Sequence, residues 1–172
     1  MGGQITYARS SVGTLSPAEM LTGLLEALAQ WSEFGVLPDA VRVMSPLGPV
    51  ERGGSSEGGR ARVAEVAEAA RLALDSTRAH GHLPASVSLA DRRLGPAALF
   101  AAAVATARSL ASGAGPEELV AFPAARLCLE DNVARDEDSV WEWSIFPEGF
   151  SAPDLLDLTR LQAWTMKPAV LR

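Results

Sequence analysis

Apolar residues recur at helical spacing in several separate stretches of the chain. The first stretch follows Ser16 and Pro17, and Glu19 lies three residues after the serine, as in a capping box. Gly35 follows the stretch, at the point where a left-handed residue closes many helices. The spacing therefore predicts a helix over 17–33, with these apolar positions: Met20, Leu21, Leu24, Leu25, Leu28 and Trp31.

The later helical stretches differ in how much of their surface is apolar. Residues 61–79 combine an apolar face with a charged face, which is typical of a helix at a domain surface. Residues 96–112 are apolar nearly all round and rich in alanine, so this helix is predicted to be central. A short helix is predicted from Pro116. A last helix is predicted to be capped by Ser151, to end at Pro168 and to bury one stripe: Leu155, Leu158, Leu161 and Trp164.

Two similar phrases follow the first two helices. They are GVLPDAVRVMSPLGP, which begins at Gly35, and GHLPASVSLADRRLGP, which begins at Gly81. In each phrase, glycine ends a helix, Leu-Pro prevents its continuation, and alternating apolar residues predict a short strand. The agreement predicts an internal pseudo-duplication of helix, short strand and turn over about 17–50 and 61–112. We also expect the strand at Val41 to pair with the strand at Val87.

Together these elements predict one domain over residues 1–172, mainly α with a small β element, and thus of the α+β class. The glycine-rich stretch ERGGSSEGGR predicts a flexible Gly/Ser linker at 51–60 between the two units. Brief strands are predicted in AARLCLE and at the start of a C-terminal aromatic segment, 141–172.

The arrangement of a helix, the pattern G-x-LP-x-x-V-x-(V/L) and a further apolar helix resembles the pseudomurein-binding repeat of cell-wall-associated proteins. Two copies of this pattern cover residues 24–49 and 70–108. The resemblance implies non-catalytic attachment to a cell-wall polymer.

Charge and composition exclude several classes of partner. The net charge of −6 and the pI of about 4.9 argue against binding to nucleic acid or to an anionic membrane. The longest apolar stretch, PAALFAAAVATA, is too short to cross a bilayer, so no membrane insertion is expected. The protein is expected in the cell envelope or outside the cell if the chain is a fragment of an exported protein, and otherwise in the cytoplasm.

Motifs for catalysis, metals and cofactors are missing from the sequence. There is no G-x-S-x-G, no G-x-G-x-x-G and no phosphate-binding loop with its lysine, so no catalytic residue and no cofactor are predicted. His80 and His82 are the only histidines and follow a helix, where basic residues suit the helix dipole. Cys128 is the only cysteine and is expected in the core. The acidic run 130–142 lacks the order of a calcium loop, so no metal site is predicted.

Aromatic residues concentrate near the C-terminus. Three of the four tryptophans fall between Trp141 and Trp164. Such a cluster can form a second core, or it can form a platform that stacks a sugar ring or holds a partner chain. The candidate ligand-binding residues on the second interpretation are Trp141, Trp143, Phe146, Glu148, Phe150, Gln162 and Trp164.

The preferred function is therefore a non-catalytic binding or accessory module for a cell-envelope polysaccharide or for a partner domain of a larger protein. One alternative is a portion of a carbohydrate-active enzyme, with Glu142 and Glu148 as its carboxylates. Another is a cytoplasmic helical scaffold that forms a homodimer through apolar helix faces.

Overall fold

The computed structural model describes residues 2–10, 13–135 and 141–168 of the 172-residue chain. They form a mixed α+β fold in which helices predominate. In chain order, the helices and strands are β1 (Gly3–Ile5), β2 (Ala8–Ser10), β3 (Gly13–Leu15), α1 (Pro17–Phe34), β4 (Gly59–Arg62), α2 (Val63–His80), β5 (Val87–Leu89), β6 (Arg92–Leu94), α3 (Pro96–Ala111), β7 (Leu119–Phe122), β8 (Ala125–Leu127) and α4 (Pro153–Gln162).

The hydrophobic core lies between α1, α2 and α3. Helix α3 contacts both of the other helices and also β7 and β8, so it occupies the central position that its composition predicts. Its inward face is built largely from alanine, which lets the neighbouring helices approach closely. Larger side chains from α1 and α2 fill the remaining space, and these are fully buried: Leu21, Leu25, Leu28, Val63, Val66 and Leu74.

The strands pair in twos around this helical core. Among the described residues, β1 pairs with β8 in parallel, whereas β2 with β3, β4 with β7 and β5 with β6 are antiparallel. The β1–β8 pair joins the start of the chain to residues 125–127. The small β element is therefore distributed over the surface of the helical core rather than gathered into one sheet.

The ends of the three long helices agree closely with the sequence pattern. Helix α1 begins with the predicted capping box, in which Ser16 Oγ accepts from Glu19 N and Glu19 Oε2 accepts from Ser16 N. Helices α1 and α2 each end in a left-handed glycine, Gly35 with φ 75° and Gly81 with φ 76°. Only glycine adopts this conformation without strain, which is why both phrases begin with it.

Beyond these glycines the two phrases differ. In the second phrase, β5 and β6 form a hairpin in which Val87 pairs with Leu94. In the first phrase, residues 36–46 form no strand, and the side chains of Val41 and Val43 lie over Gly23 of α1. The predicted pairing of Val41 with Val87 is therefore wrong, because each valine has another partner. The internal duplication is not confirmed by the structure.

The glycine-rich segment 51–60 is held against its neighbours by main-chain hydrogen bonds. Ser55 N donates to Arg93 O, Gly95 N donates to Ser55 O, and Ala125 N donates to the carbonyl of Ser56. Its last residues already belong to β4. The segment lies between α1 and α2, and Gly53, Gly54 and Gly58 lie close to the main chain of neighbouring residues.

The C-terminal third departs furthest from the sequence pattern. The helix predicted from Pro116 is absent, because residues 116–118 form a turn that leads into β7. The strand predicted in AARLCLE is present as β8. Cys128 is partly exposed rather than fully buried. Residues 136–140 of the acidic run and 169–172 of the aromatic segment lie outside the described residues.

The stripe predicted for the last helix is buried only in part, since Trp164 is buried and Leu161 is half-buried. Leu155 and Leu158 are exposed, whereas Leu156 is buried and Trp164 lies in the core just beyond the helix. Ala152, rather than Ser151, is the residue that directly precedes the first helical turn. The apolar residues of α4 occupy more than one face, so periodicity alone did not identify the buried side.

Candidate functional site

Residues 141–150 form an exposed segment, here called the aromatic loop, in which three aromatic rings contact one another. The Trp141 ring lies edge-on to Phe146 and to Phe150, at centroid distances of 5.3 and 5.2 Å. The two phenylalanine rings stack, with centroids 5.0 Å apart and planes at 11°. Edge-on contacts place the positive edge of one ring against the negative face of another, so the three rings stabilise the shape of the loop.

Two turns replace the strand that was predicted at Trp141–Ile145. Phe146 N donates to Trp143 O at 2.9 Å, and Phe150 N donates to Pro147 O at 3.1 Å. The second turn places Gly149 at φ 75°, a conformation that favours glycine. Because a β-strand would put alternate residues on opposite sides, these turns are what bring Trp141, Phe146 and Phe150 together.

The outer surface of the aromatic loop carries large apolar side chains beside carboxylates. Trp143 is 70% exposed and Ile145 is 74% exposed. A hollow of about 430 Å³ lies within the loop and is lined by its rings and by Glu142 and Glu148. A flat ring can stack on the C–H face of a sugar, and neighbouring carboxylates can accept hydrogen bonds from sugar hydroxyls. The loop thus presents exposed apolar rings beside hydrogen-bond acceptors.

Gln162 lies apart from this hollow, although the sequence grouped it with the aromatic loop. Its Oε1 accepts from Gly48 N at 2.8 Å, and its Nε2 donates to Pro49 O at 3.3 Å. These bonds use the side chain to attach the end of α4 to the first phrase. Gln162 therefore has a structural contact in the fold, with both polar atoms of its side chain bonded to the main chain of the first phrase.

Trp164 is also separate from the aromatic loop. It is only 4% exposed and packs within the hydrophobic core. The candidate residues thus divide into a group gathered on the loop and two that lie elsewhere. The loop group is Trp141, Trp143, Phe146, Glu148 and Phe150.

A second cleft, of about 400 Å³, lies between the Gly/Ser segment, the start of α3 and β8, and Trp164 lines one wall. Its rim carries two ion pairs, Arg52 with Glu130 at 3.5 Å and Arg126 with Asp131 at 2.8 Å. The hydrogen bonds from the Arg126 guanidinium lower the pKa of Asp131, and the same bonds raise the pKa of Arg126. Because each rim arginine already has a carboxylate partner, the cleft presents little net charge to a ligand.

Leu155 and Leu158 form an exposed apolar surface on α4 that the sequence pattern assigned to the interior. Leu155 is 54% exposed and Leu158 is 47% exposed. They are separated by one turn of the same helix, which begins three residues after the aromatic loop ends. No local sequence signal distinguishes this outer surface from a buried one, since Leu156 between them takes the inward position.

Within residues 2–10, 13–135 and 141–168, no group of three or more histidine, cysteine, aspartate or glutamate side chains is placed to hold a metal ion. None of the helices described there has the length and apolar character needed to cross a membrane.

Comparison of the chain with protein-family models, with curated proteins and with solved structures gives no match.

Proposed function

We propose that the protein is a non-catalytic binding module that recognises a cell-envelope polysaccharide through the aromatic loop. The single observation that carries this proposal is Trp143, whose large ring is 70% exposed at the edge of a hollow that contains other aromatic rings. The apolar face of an exposed indole is in contact with water. A sugar ring stacked on that face would remove it from water, which gives a favourable free energy of binding.

The polar residues of the aromatic loop also suit a carbohydrate. Glu142 and Glu148 are exposed and line the same hollow, where their carboxylates can accept hydrogen bonds from hydroxyl groups. The resemblance of the two phrases to the pseudomurein-binding repeat supports a polymer of the cell envelope as the source of the sugar. The aromatic loop itself lies outside the two repeated phrases.

The exposure of both carboxylates supports binding without catalysis. A general acid in a glycosidase is usually kept protonated near neutral pH by an apolar, desolvated pocket. Within the part of the chain that the structure describes, Glu142 and Glu148 are both exposed on the aromatic loop. Both carboxylates are therefore accessible to hydrogen bonds from the hydroxyl groups of a ligand.

The proposal is tested by co-sedimentation of the protein with insoluble cell-wall polysaccharide and by fluorescence titration with soluble fragments of that polymer. Trp143→Ala should weaken binding about tenfold, equivalent to about 1.4 kcal/mol, because the stacking surface is removed. Glu148→Gln should weaken binding less, since the amide oxygen still accepts a hydrogen bond.

The matched control is Phe34→Ala. Phe34 is 65% exposed at the end of α1, so the change removes a comparable exposed aromatic surface elsewhere in the molecule. Binding by this variant should equal that of the unaltered protein. Equal losses in the Trp143 and Phe34 variants, or no binding of wall polysaccharide by the unaltered protein, would contradict the proposal.

The exposed leucines of α4 favour a second candidate function, a scaffold that self-associates through this helix. Leu155 and Leu158 would become buried in a symmetric contact between two copies. Sedimentation velocity over a range of concentrations would detect the dimer, and Leu155→Ser with Leu158→Ser should abolish it. A monomer at all concentrations would remove this candidate and leave the first unaffected.

A further inference from the structure

His80 and His82 form a pair of side chains at the junction between α2 and the second phrase. His80 is the last residue of α2, and Gly81 between the two histidines has φ 76°. The left-handed turn at this glycine brings the imidazole rings to a centroid distance of 5.7 Å, with 34° between their planes. His80 is exposed and His82 is half-buried, so water and small ions reach the pair.

The hydrogen bonds of the two rings determine which nitrogen carries the proton. His80 Nδ1 lies 2.8 Å from Ser76 O, and His82 Nδ1 lies 3.0 Å from Leu83 O. A carbonyl oxygen only accepts, so these two bonds form in the tautomer that carries its proton on Nδ1. In the neutral imidazole, the lone pair is then on Nε2 of both rings. Metal-binding histidines commonly have this arrangement, in which a main-chain carbonyl fixes the tautomer and orients the ring.

The main chain around the pair is held on both sides. Gly81 N donates to Thr77 O at 2.8 Å, Leu47 N donates to Gly81 O, and Leu83 N donates to Leu47 O, the last two at 3.0 Å. The backbone that carries both rings is therefore ordered before any ligand arrives. Little conformational entropy remains to be lost on binding, which increases the affinity of a small site.

The separation of the rings fits two ligands of one ion. With a metal–nitrogen bond of about 2.0 Å, each ring centroid lies about 3.2 Å from the ion, and two rings in tetrahedral positions lie about 5.2 Å apart. The observed centroid distance of 5.7 Å is about 0.5 Å longer than this tetrahedral value. The carboxyl end of α2 also carries partial negative charge, which favours a cation at this position.

We propose that His80 and His82 form a binding site for a borderline divalent cation of the Zn²⁺, Ni²⁺ and Cu²⁺ class, coordinated through both Nε2 atoms. No third protein ligand is grouped with them among the described residues, so water or a group from a bound molecule completes the coordination. Cu²⁺ should bind most tightly of the three, and the hard cations Mg²⁺ and Ca²⁺, which prefer oxygen ligands, should not bind. The site is independent of the aromatic loop and of the polysaccharide proposal.

Calorimetric titration of the untagged protein with each metal ion alone tests the proposal. One equivalent of Cu²⁺, Ni²⁺ or Zn²⁺ should bind, and Cu²⁺ should bind most tightly. His80→Gln and His82→Gln should each abolish saturable binding, since a single imidazole remains. Ser76→Ala is the matched control, because it removes a hydroxyl near His80 but retains the main-chain carbonyl that orients the ring.

Nitrogen-15 correlation spectra of the imidazole rings supply a second readout that does not depend on the variants. Without metal, both rings should show the tautomer protonated on Nδ1, and Zn²⁺ should shift the Nε2 resonances of both. Nε2-protonated tautomers, binding that persists in a variant without both histidines, or the absence of binding by all three ions would each overturn the proposal. Circular dichroism of the variants checks that their fold is retained.

Discussion

Glu19 is a buried charged side chain that connects the beginning and the end of the described chain. Its Oε2 accepts from Ser16 N at 2.8 Å, and its Oε1 accepts from Ser45 Oγ and from Lys167 Nζ, both at 2.7 Å. Burial alone would raise the pKa of Glu19. The hydrogen bonds from Lys167, Ser16 and Ser45, together with the lysine charge, outweigh that effect and hold the pKa below its ordinary value of 4.5.

The lowered pKa of Glu19 predicts a loss of stability in acid. A carboxyl group with a lower pKa in the folded state contributes stability above its unfolded pKa, and this contribution disappears as the pH falls through the folded pKa. Lys167→Met should reduce the free energy of unfolding by about 1 kcal/mol at pH 7, a modest figure because the lysine is partly screened by solvent. Urea denaturation from pH 7 to below 4.5 would also show a smaller loss in acid for this variant than for the unaltered protein.

The control for this prediction is Lys167→Arg, which keeps the charge next to Glu19. It should retain much of the stability at pH 7 and most of the loss in acid. If the Met and Arg variants had the same unfolding curves at every pH, the ion pair with Glu19 would have no measurable effect on stability.

The contacts of Glu19 also show what sequence can reveal at the scale of single residues. The bond with Ser16 spans three positions and follows from a local pattern, so the sequence predicts it. The bond with Lys167 spans 148 positions, and no local pattern connects the two residues. The same limit applies to Gln162, whose bond to Gly48 depends on how the end of α4 meets the first phrase.

Two kinds of glycine determine how the elements are joined. Gly35 closes α1 with φ 75°, and nothing lies within 4 Å of the position a Cβ would take. Gly54 in the Gly/Ser segment has φ 67°, and a Cβ there would lie within 2.7 Å of Leu94 O and collide with the main chain of Gly95. The first glycine is required only for conformation, and the second is required for both conformation and space.

This difference predicts that replacing glycine by alanine lowers the free energy of unfolding by unequal amounts at the two positions. Gly35→Ala should lower the free energy of unfolding by about 1–2 kcal/mol, the cost of a left-handed non-glycine residue. Gly54→Ala should cost at least about 3 kcal/mol, because overpacking against main-chain atoms adds to that strain. Chemical denaturation of the two variants side by side measures the difference. Equal costs would mean that segment 51–60 moves aside and is the flexible linker that its composition predicts.

Some elements are specified by residues within their own stretch of sequence, whereas others depend on a partner far along the chain. The three long helices were predicted to within about two residues, since caps and periodic apolar faces lie within each stretch. The short strands were mostly missed because three residues carry too little pattern, and a partner can be far away, as β8 is for β1. The first phrase has the alternation of a strand, but it forms only a single parallel bridge, from Leu47 to His82, and its valines pack on α1.

At the scale of the whole molecule, the C-terminal tryptophans separate into two environments. The sequence places Trp143 and Trp164 in one aromatic segment and leaves open whether that segment is core or surface. The structure buries Trp164 against the helical core and exposes Trp143 on the aromatic loop. Composition could not separate them, because the direction of each side chain depends on the turns of the loop and on the face through which α4 packs.

The two environments predict very different changes in the free energy of unfolding when each tryptophan is replaced by alanine. Trp164→Ala should lower the free energy of unfolding by about 3–5 kcal/mol, since it leaves a large cavity in the core. Trp143→Ala should change the free energy of unfolding by less than about 0.5 kcal/mol, because the side chain is mostly in water. Denaturation curves followed by far-ultraviolet circular dichroism measure both values. A large loss of stability in the Trp143 variant would place that ring in the core, and any loss of polysaccharide binding would then report on folding rather than on a contact with the ligand.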